Sequence, residues 1–272
     1  MQNQKNIVIS SAFGINENGI DFFLKSLRKY YTGEIFFLIG VDDKKIRDLL
    51  ISYKCNFSQI KVHKHDIQLK RYQYYLDYLK KNQFNKILCC DSRDIYFQDN
   101  PFNFNYQGLI NFFLEGKKIK DCEFNKNWLI KTHGTNAFED IKDKSILCSG
   151  TVIAQYKTML EYLELMNELI VKKKYKKSFK YLLTLRRDKS GRGCDQAHAN
   201  FIGHNKLIKN AYFYPNDDGP IATVYYLKKI LFNEKYELIN KSRKRYLVVH
   251  QYDKRWDDFS PNIENFKKLN NV

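Results

Sequence analysis

The chain is poor in several things, and each shortage narrows what it can be. Only 4 of its 272 residues are proline, and no Pro-rich linker, internal repeat or low-complexity tail divides it, so one globular unit spanning 1–272 is expected. No stretch approaches the roughly 18 uninterrupted apolar residues that would span a bilayer. The first residues, "MQNQKNIVISSAFG", lack the basic flank, apolar core and small-residue cleavage site of a signal peptide, and the expectation is a cytoplasmic protein. The 6 cysteines, at 55, 89, 90, 122, 148 and 194, have no metal-ligand spacing and read as reduced core residues. Cys89 and Cys90 are adjacent in an apparent strand, where side chains point to opposite faces.

Acidic residues are also scarce, with 30 Asp and Glu against 47 Lys and Arg, a formal charge of +17. Such an excess favours phosphate-bearing partners, anionic membrane surfaces or nucleic acid without choosing among them. The chain is rich in Asn, Ile and Tyr, as products of AT-rich genomes tend to be, so the charge alone carries little argument.

Apolar material is plentiful, at 43% hydrophobic and 15% aromatic, enough for one large domain. The first half alternates short apolar runs with helical patterns, the signature of a βαβ array with a largely parallel sheet. Strands are predicted at 6–14, 34–42 and 59–65 and in "KILCCD", with helices over 19–31, 44–53 and 68–81. On the first helix Phe23, Leu27, Tyr30 and Tyr31 share one face. Farther on, 156–175 is a long amphipathic helix, 176–193 a basic helix running into a Gly-containing loop, "CDQAHANFI" another helix start, and 245–253 a last buried strand.

In this basic chain, "ILCCDSRDIYFQDNPF", residues 87–102, is unusual for ending an apolar strand in a cluster of acids. Open parallel sheets bind ligands in the crevice beyond the carboxyl ends of their strands, where Asp91 and Asp94 would stand. Hard oxygen ligands select Mg²⁺ or Mn²⁺, which keep waters and substrate phosphate oxygens in their shells. The competing reading is an Asp-initiated turn in which Arg93 pairs with one of the aspartates.

Ordered pieces over most of the chain sharpen the choice: "ISSAFG" at 9–14, "KRYQYYLDYL" at 70–79, "CDSRDIYFQDNPF" at 90–102, "CSGTVIA" at 148–154, "GCDQAHANFI" at 193–202 and "VVHQYDKRW" at 248–256. Together they resemble nucleotide-sugar glycosyltransferases of the GT-A fold, particularly bacterial and viral enzymes with a "DSRD...FQ...PF" segment. The resemblance implies an α/β fold, a single GT-A domain with a mostly parallel central sheet flanked by helices. Residues 1–115 would form its nucleotide-binding part and 116–272 its acceptor side.

It also implies roles. Asp94 would bind the metal bridging two phosphates, Asp91 would contact ribose or metal, and His250 would complete the metal site. The family's acidic element has one residue between its acids, whereas here Ser92 and Arg93 intervene, which leaves the division of labour open. "CSGT" resembles a small-residue turn at which Ser149 and Gly150 meet the donor sugar, with a plain turn between strands as the competing reading. Asp195 and Gln196 resemble the acid and amide facing the sugar's reactive carbon, while Asp195 also suits a helix N-cap. Arg71 matches a basic residue reaching donor phosphate or sugar, and a solvated helix-face arginine is the alternative. Ser11, Ala12 and Phe13 would hold base and ribose, or simply form a strand-to-helix loop. Arg93 is counted with the donor-binding residues, and Lys254 and Arg255 would clamp the departing diphosphate. The "HQ" and "DQ" elements look more like the retaining group.

The expected partners are a nucleotide-sugar donor, a UDP-sugar by resemblance, and a glycan or lipid-linked acceptor, with Mn²⁺ or Mg²⁺ as cofactor. The basic segment 172–187, with Tyr175, Phe179, Leu182 and Leu183 on one helical face, suits peripheral contact with an anionic membrane or serves as an ordinary surface helix. Nucleic acid is not an expected partner, because the aromatics fall at core-like periods, although a basic nucleic-acid-binding protein remains the competing function. A two-metal phosphatase or nuclease needs a second ligand set, for which "HKHD" at 63–66 and "NDDG" at 216–219 are the candidates.

Overall fold

The computed structural model describes residues 5–63, 66–173 and 191–272. The first half alternates as its periodicity predicts: β1 (Ile7–Ala12), α1 (Glu17–Tyr30), β2 (Glu34–Gly40), α2 (Lys44–Ser52), β3 (Asn56–Ile60), α3 (Ile67–Lys81) and β4 (Lys86–Cys90). Successive parallel strands need a crossover, and the helices supply it. Asn16 starts α1 by accepting the Gly19 amide at 2.9 Å, and Ile20, Phe23, Leu24 and Leu27 bury its inner face. β3 covers 56–60, ahead of the predicted 59–65, because its pairing with β2 runs out where Ile60 stands opposite Gly40, the last residue of β2. Half-solvated, it carries Asn56, Ser58 and Gln59 and gives little apolar signal.

Beyond β4 come the short β5 (Ile95–Phe97), then β6 (Ile110–Lys118), α4 (Glu123–His133), α5 (Thr135–Ile141), β7 (Ser145–Gln155), α6 (Tyr156–Lys172), α7 (Cys194–His204) and β8 (Ala211–Tyr214). The main sheet has seven strands in the order β3-β2-β1-β4-β7-β6-β8. It is mixed and mostly parallel, with β7 running antiparallel to both β4 and β6. Helices cover both faces. Tyr72, Leu79, Met159, Leu163 and Ile202 pack with Cys89 on one side, and Phe23, Leu27, Ile46 and Leu50 with Cys90 on the other. All six cysteines are free and buried.

Next in the chain come β9 (Ile221–Thr223), the paired β10 (Leu231–Phe232) and β11 (Leu238–Ile239), and β12 (Val248–His250), and a second, three-stranded sheet has the order β5-β12-β9. The predicted strand over 245–253 is thus only three residues of β12, and it lies outside the main sheet. A helix not anticipated from the sequence, α8 (Trp256–Asn270), covers this sheet with Phe259, Ile263 and Phe266. Gln98, fully buried, staples the end of β5 to the neighbouring chain. Its amide donates to the Leu238 and Tyr246 carbonyls at 3.0 and 2.8 Å and accepts the Leu238 N–H at 2.7 Å. Tyr175, Phe179, Leu182 and Leu183, the face expected to suit membrane contact, lie outside the described residues. Among the described residues, no helix is long and apolar enough to cross a membrane.

Candidate metal centre

From β1 the crossovers lead outward to β2 and β3, and the next returns from β3 to β4 on the other side of β1, so a topological switch point falls between β1 and β4. A crevice opens at such a point, beyond the strand ends. Ser11 and Ala12 close β1 there, with Phe13 just beyond, and Asp91 is the first residue past β4. The Ser92 hydroxyl donates to the Ser11 carbonyl at 2.9 Å, tying the two strand ends together. The Asp91 amide donates to the Gly150 carbonyl at 2.9 Å. The chain then crosses into the small sheet, where the antiparallel register sets Ile95 opposite His250. The Gln251 amide donates to the Asp94 carbonyl at 2.7 Å, which seats Asp94 beside the histidine. Gln251 itself is left-handed, at φ +61°, so the chain turns sharply as it leaves His250.

Asp91, Asp94 and His250 each offer one ligand atom, all within 4.8 Å of one another. His250 Nε2 is 3.6 Å from Asp91 Oδ2 and 3.6 Å from Asp94 Oδ1. Donors about 2.1 Å from a common ion and about 90–120° apart lie about 3.0–3.6 Å from each other, so these separations suit a shared cation. Each carboxylate is held by its other oxygen. Arg71 Nη1 donates to Asp91 Oδ1 at 2.6 Å, and Arg93 Nη2 donates to Asp94 Oδ2 at 3.1 Å. The His250 Nε2 atom is buried with no hydrogen-bond partner, an orphan that a cation would satisfy. Asp91 keeps 36% of its side-chain surface open, against 1% for His250, so the remaining coordination positions face the crevice.

Room for this cluster comes from Gly150. A Cβ there would meet Asp91 Oδ2 at 2.6 Å and His250 Cε1 at 2.6 Å. Its φ is not positive, so glycine is required by crowding and not by backbone conformation. The expected turn at "CSGT" is corrected here, since Ser149 and Gly150 lie in mid-strand in β7. The small residues make way for side chains arriving from other strands.

The protonation states follow from opposed forces. Burial disfavours the Asp91 anion, but Arg71 and His250 outweigh it and hold the carboxyl below its ordinary value. For Asp94 burial prevails over His250 and raises it. Burial also disfavours charge on His250, yet Cys148, Asp94 and Asp91 keep it protonated well above its usual range. A dication is the natural replacement for that proton.

Around the centre, the structure joins most of the remaining candidates. Arg71 is buried and not a solvated helix-face residue, and its Nη2 reaches Asp195 Oδ2 at 3.2 Å. Asp195 stands in the first turn of α7, two residues past the N-cap Gly193, where the free amides of Asp195 and Gln196 favour its anion against burial. Gln196 is fully engaged. Its carbonyl accepts the Ser149 amide at 2.8 Å, and its amide donates to Glu115 Oε1 at 3.1 Å. Arg93 also reaches Asp253 Oδ2, at 2.9 Å. Lys254 pairs with Asp253, and Arg255 with Asp258 and the Leu227 carbonyl, so both turn to neighbours outside the three-ligand cluster.

Three neighbours were not read from the sequence: Glu115 on β6, whose carboxyl is raised by burial against the pull of His250; Cys148 on β7; and Asp253. An acid on a strand's buried phase was the available signal for Glu115, in "INFFLEGKK". In "NDDG", Asn216 braces the fold, its side chain bonding Glu115 O and the Thr223 backbone. Among the described residues, one group of three or more acids, histidines or cysteines meets the geometry of a metal site. The chain matches no family profile and no curated protein.

Proposed function

We propose that the chain is a metal-dependent glycosyltransferase that moves a sugar from a nucleotide diphosphate, a UDP-sugar first, to a glycan or lipid-linked acceptor. On this reading the main sheet and its crevice form a GT-A domain. The observation that carries it is the convergence of Asp91, Asp94 and the orphaned His250 Nε2 at the sheet's switch point, each aspartate leaving one oxygen open. Asp91, Asp94 and His250 would hold Mn²⁺ or Mg²⁺, which supplies Lewis-acid stabilisation of a departing diphosphate. The chain's own residues do the rest. Arg71 keeps Asp91 ionised and neutralises Asp195. Arg93, half exposed at the rim, offers a cation to donor phosphate. Gln196 is fixed between Ser149 and Glu115 beside the same crevice. The likeness of the "HQ" and "DQ" elements favours a retaining course in which the leaving phosphate accepts the acceptor's proton; Asp195, raised by burial against the pull of Arg71, is the base an inverting course would use. A two-metal hydrolase is less well supported, since Asn216 of the second candidate set serves as a brace.

A thermal-shift panel of UDP-, GDP-, CDP- and dTDP-sugars with and without Mn²⁺ tests the reading, because a bound ligand raises apparent stability by mass action. A Mn²⁺-dependent shift with one nucleotide sugar is expected, and its absence with every nucleotide rejects the proposal. Asp94→Asn should abolish that shift and metal-dependent transfer while leaving the ligand-free melting temperature near that of the parent.

A further inference from the structure

The His250 ring has two nitrogens, and only one faces the aspartates. The other, Nδ1, lies 3.3 Å from Cys148 Sγ. Thiol and imidazole are each 1% exposed, so water does not compete for the contact. Cys148 and Gly150 are two residues apart on β7 and therefore share a face of that strand. Between them they form a slot for a ring arriving from another sheet. Gly150 leaves space beside Cε1 and Nε2, and Cys148 engages the far nitrogen. Glu115 adjoins both Cys148 and His250 from β6.

We infer that Cys148 is a positioning residue for the cation, holding the His250 ring through Nδ1 so that Nε2 faces the open oxygens of Asp91 and Asp94. The inference rests on the metal-centre reading above. An imidazole ligand normally fixes its orientation by tying its second nitrogen to a carboxylate, carbonyl or water, and loss of that partner costs about 10–100-fold in metal affinity. A thiol is a weak hydrogen-bonding group and an uncommon choice. It suits this slot because it is small and packs as an apolar side chain between the strands.

The test is Mn²⁺ binding to the full chain, by calorimetry and by the paramagnetic resonance of free Mn²⁺, for the parent, Cys148→Val and Cys148→Ser. Valine fills the space without a donor or acceptor, and serine keeps a hydrogen-bonding atom. Cys148→Val should weaken Mn²⁺ binding about 10–100-fold, Cys148→Ser should stay close to the parent, and all three should melt alike in chelator. Parent-like affinity in Cys148→Val, or equal loss in both variants, overturns the inference and leaves the metal-centre reading standing. If the parent itself binds no Mn²⁺, that reading falls and takes this inference with it.

Discussion

An alanine at position 150 would press its Cβ onto Asp91 and the His250 ring, while its backbone would be unstrained. Gly150→Ala should therefore fold, at an overpacking cost of about 1–3 kcal/mol, and lose Mn²⁺ affinity by more than tenfold in calorimetric titration. Protonation makes a second residue-scale prediction. His250 is held protonated by Cys148, Asp94 and Asp91 despite its burial, and an ion must displace that proton. Mn²⁺ affinity should rise with pH across the neutral range, and titrations in two buffers of different ionisation enthalpy should count about one proton released per ion. Asp91 and Asp94 were legible as acids closing an apolar strand, and His250 through the resemblance. Glu115 offered only the anomaly of an acid on a strand's buried phase and Cys148 no signal of its own, because nothing local in "FLEGKK" or "SILCSG" tells that these strands pair and converge on residue 250.

The elements of the first half were readable because buried strands and amphipathic helices alternate with short connections. β5 and β9 were not, since a three-residue strand is too short to show a period and its identity is set by its partners, and β12 was read only within a longer strand over 245–253. α8 was hidden by Pro261 within its first turns, although Phe259, Ile263 and Phe266 keep helical spacing. Between α4 and α7, His133 Nε2 lies 3.0 Å from His198 Nδ1, and the His133 ring stacks on Phe201. Burial lowers His133 from 6.5 to about 4, and His198 from 6.5 to about 3. The unfolded chain takes up these protons first, so the pair's contribution is complete above pH 6.5 and is lost as the pH falls toward about 4 and then about 3. With His198 only 1% exposed, the loss is on the order of several kcal/mol. Urea midpoints measured across that range should fall with acid, and His133→Gln combined with His198→Gln should flatten the slope.

At the scale of the molecule, the candidate metal centre lies between two sheets: Asp91 follows β4 of the larger, while Asp94 precedes β5 and His250 ends β12 of the smaller. A cation bound there acts as a cross-link. At a concentration one hundred times its Kd it should add about 2.7 kcal/mol, some 5–10 °C of melting temperature for a chain of this size. Asp94→Asn should show no such rise. Amide exchange should slow along β5, β7 and β12 together, and slowing confined to one of them would count against a bridge.

All six thiols are interior, so an alkylating dye reaches one only when the surrounding structure parts. The sulfur behind His250 lies at the seam where the two sheets meet. Its labelling half-time therefore works as a built-in chronometer of how often that seam breathes, and occupancy of the crevice would slow the clock.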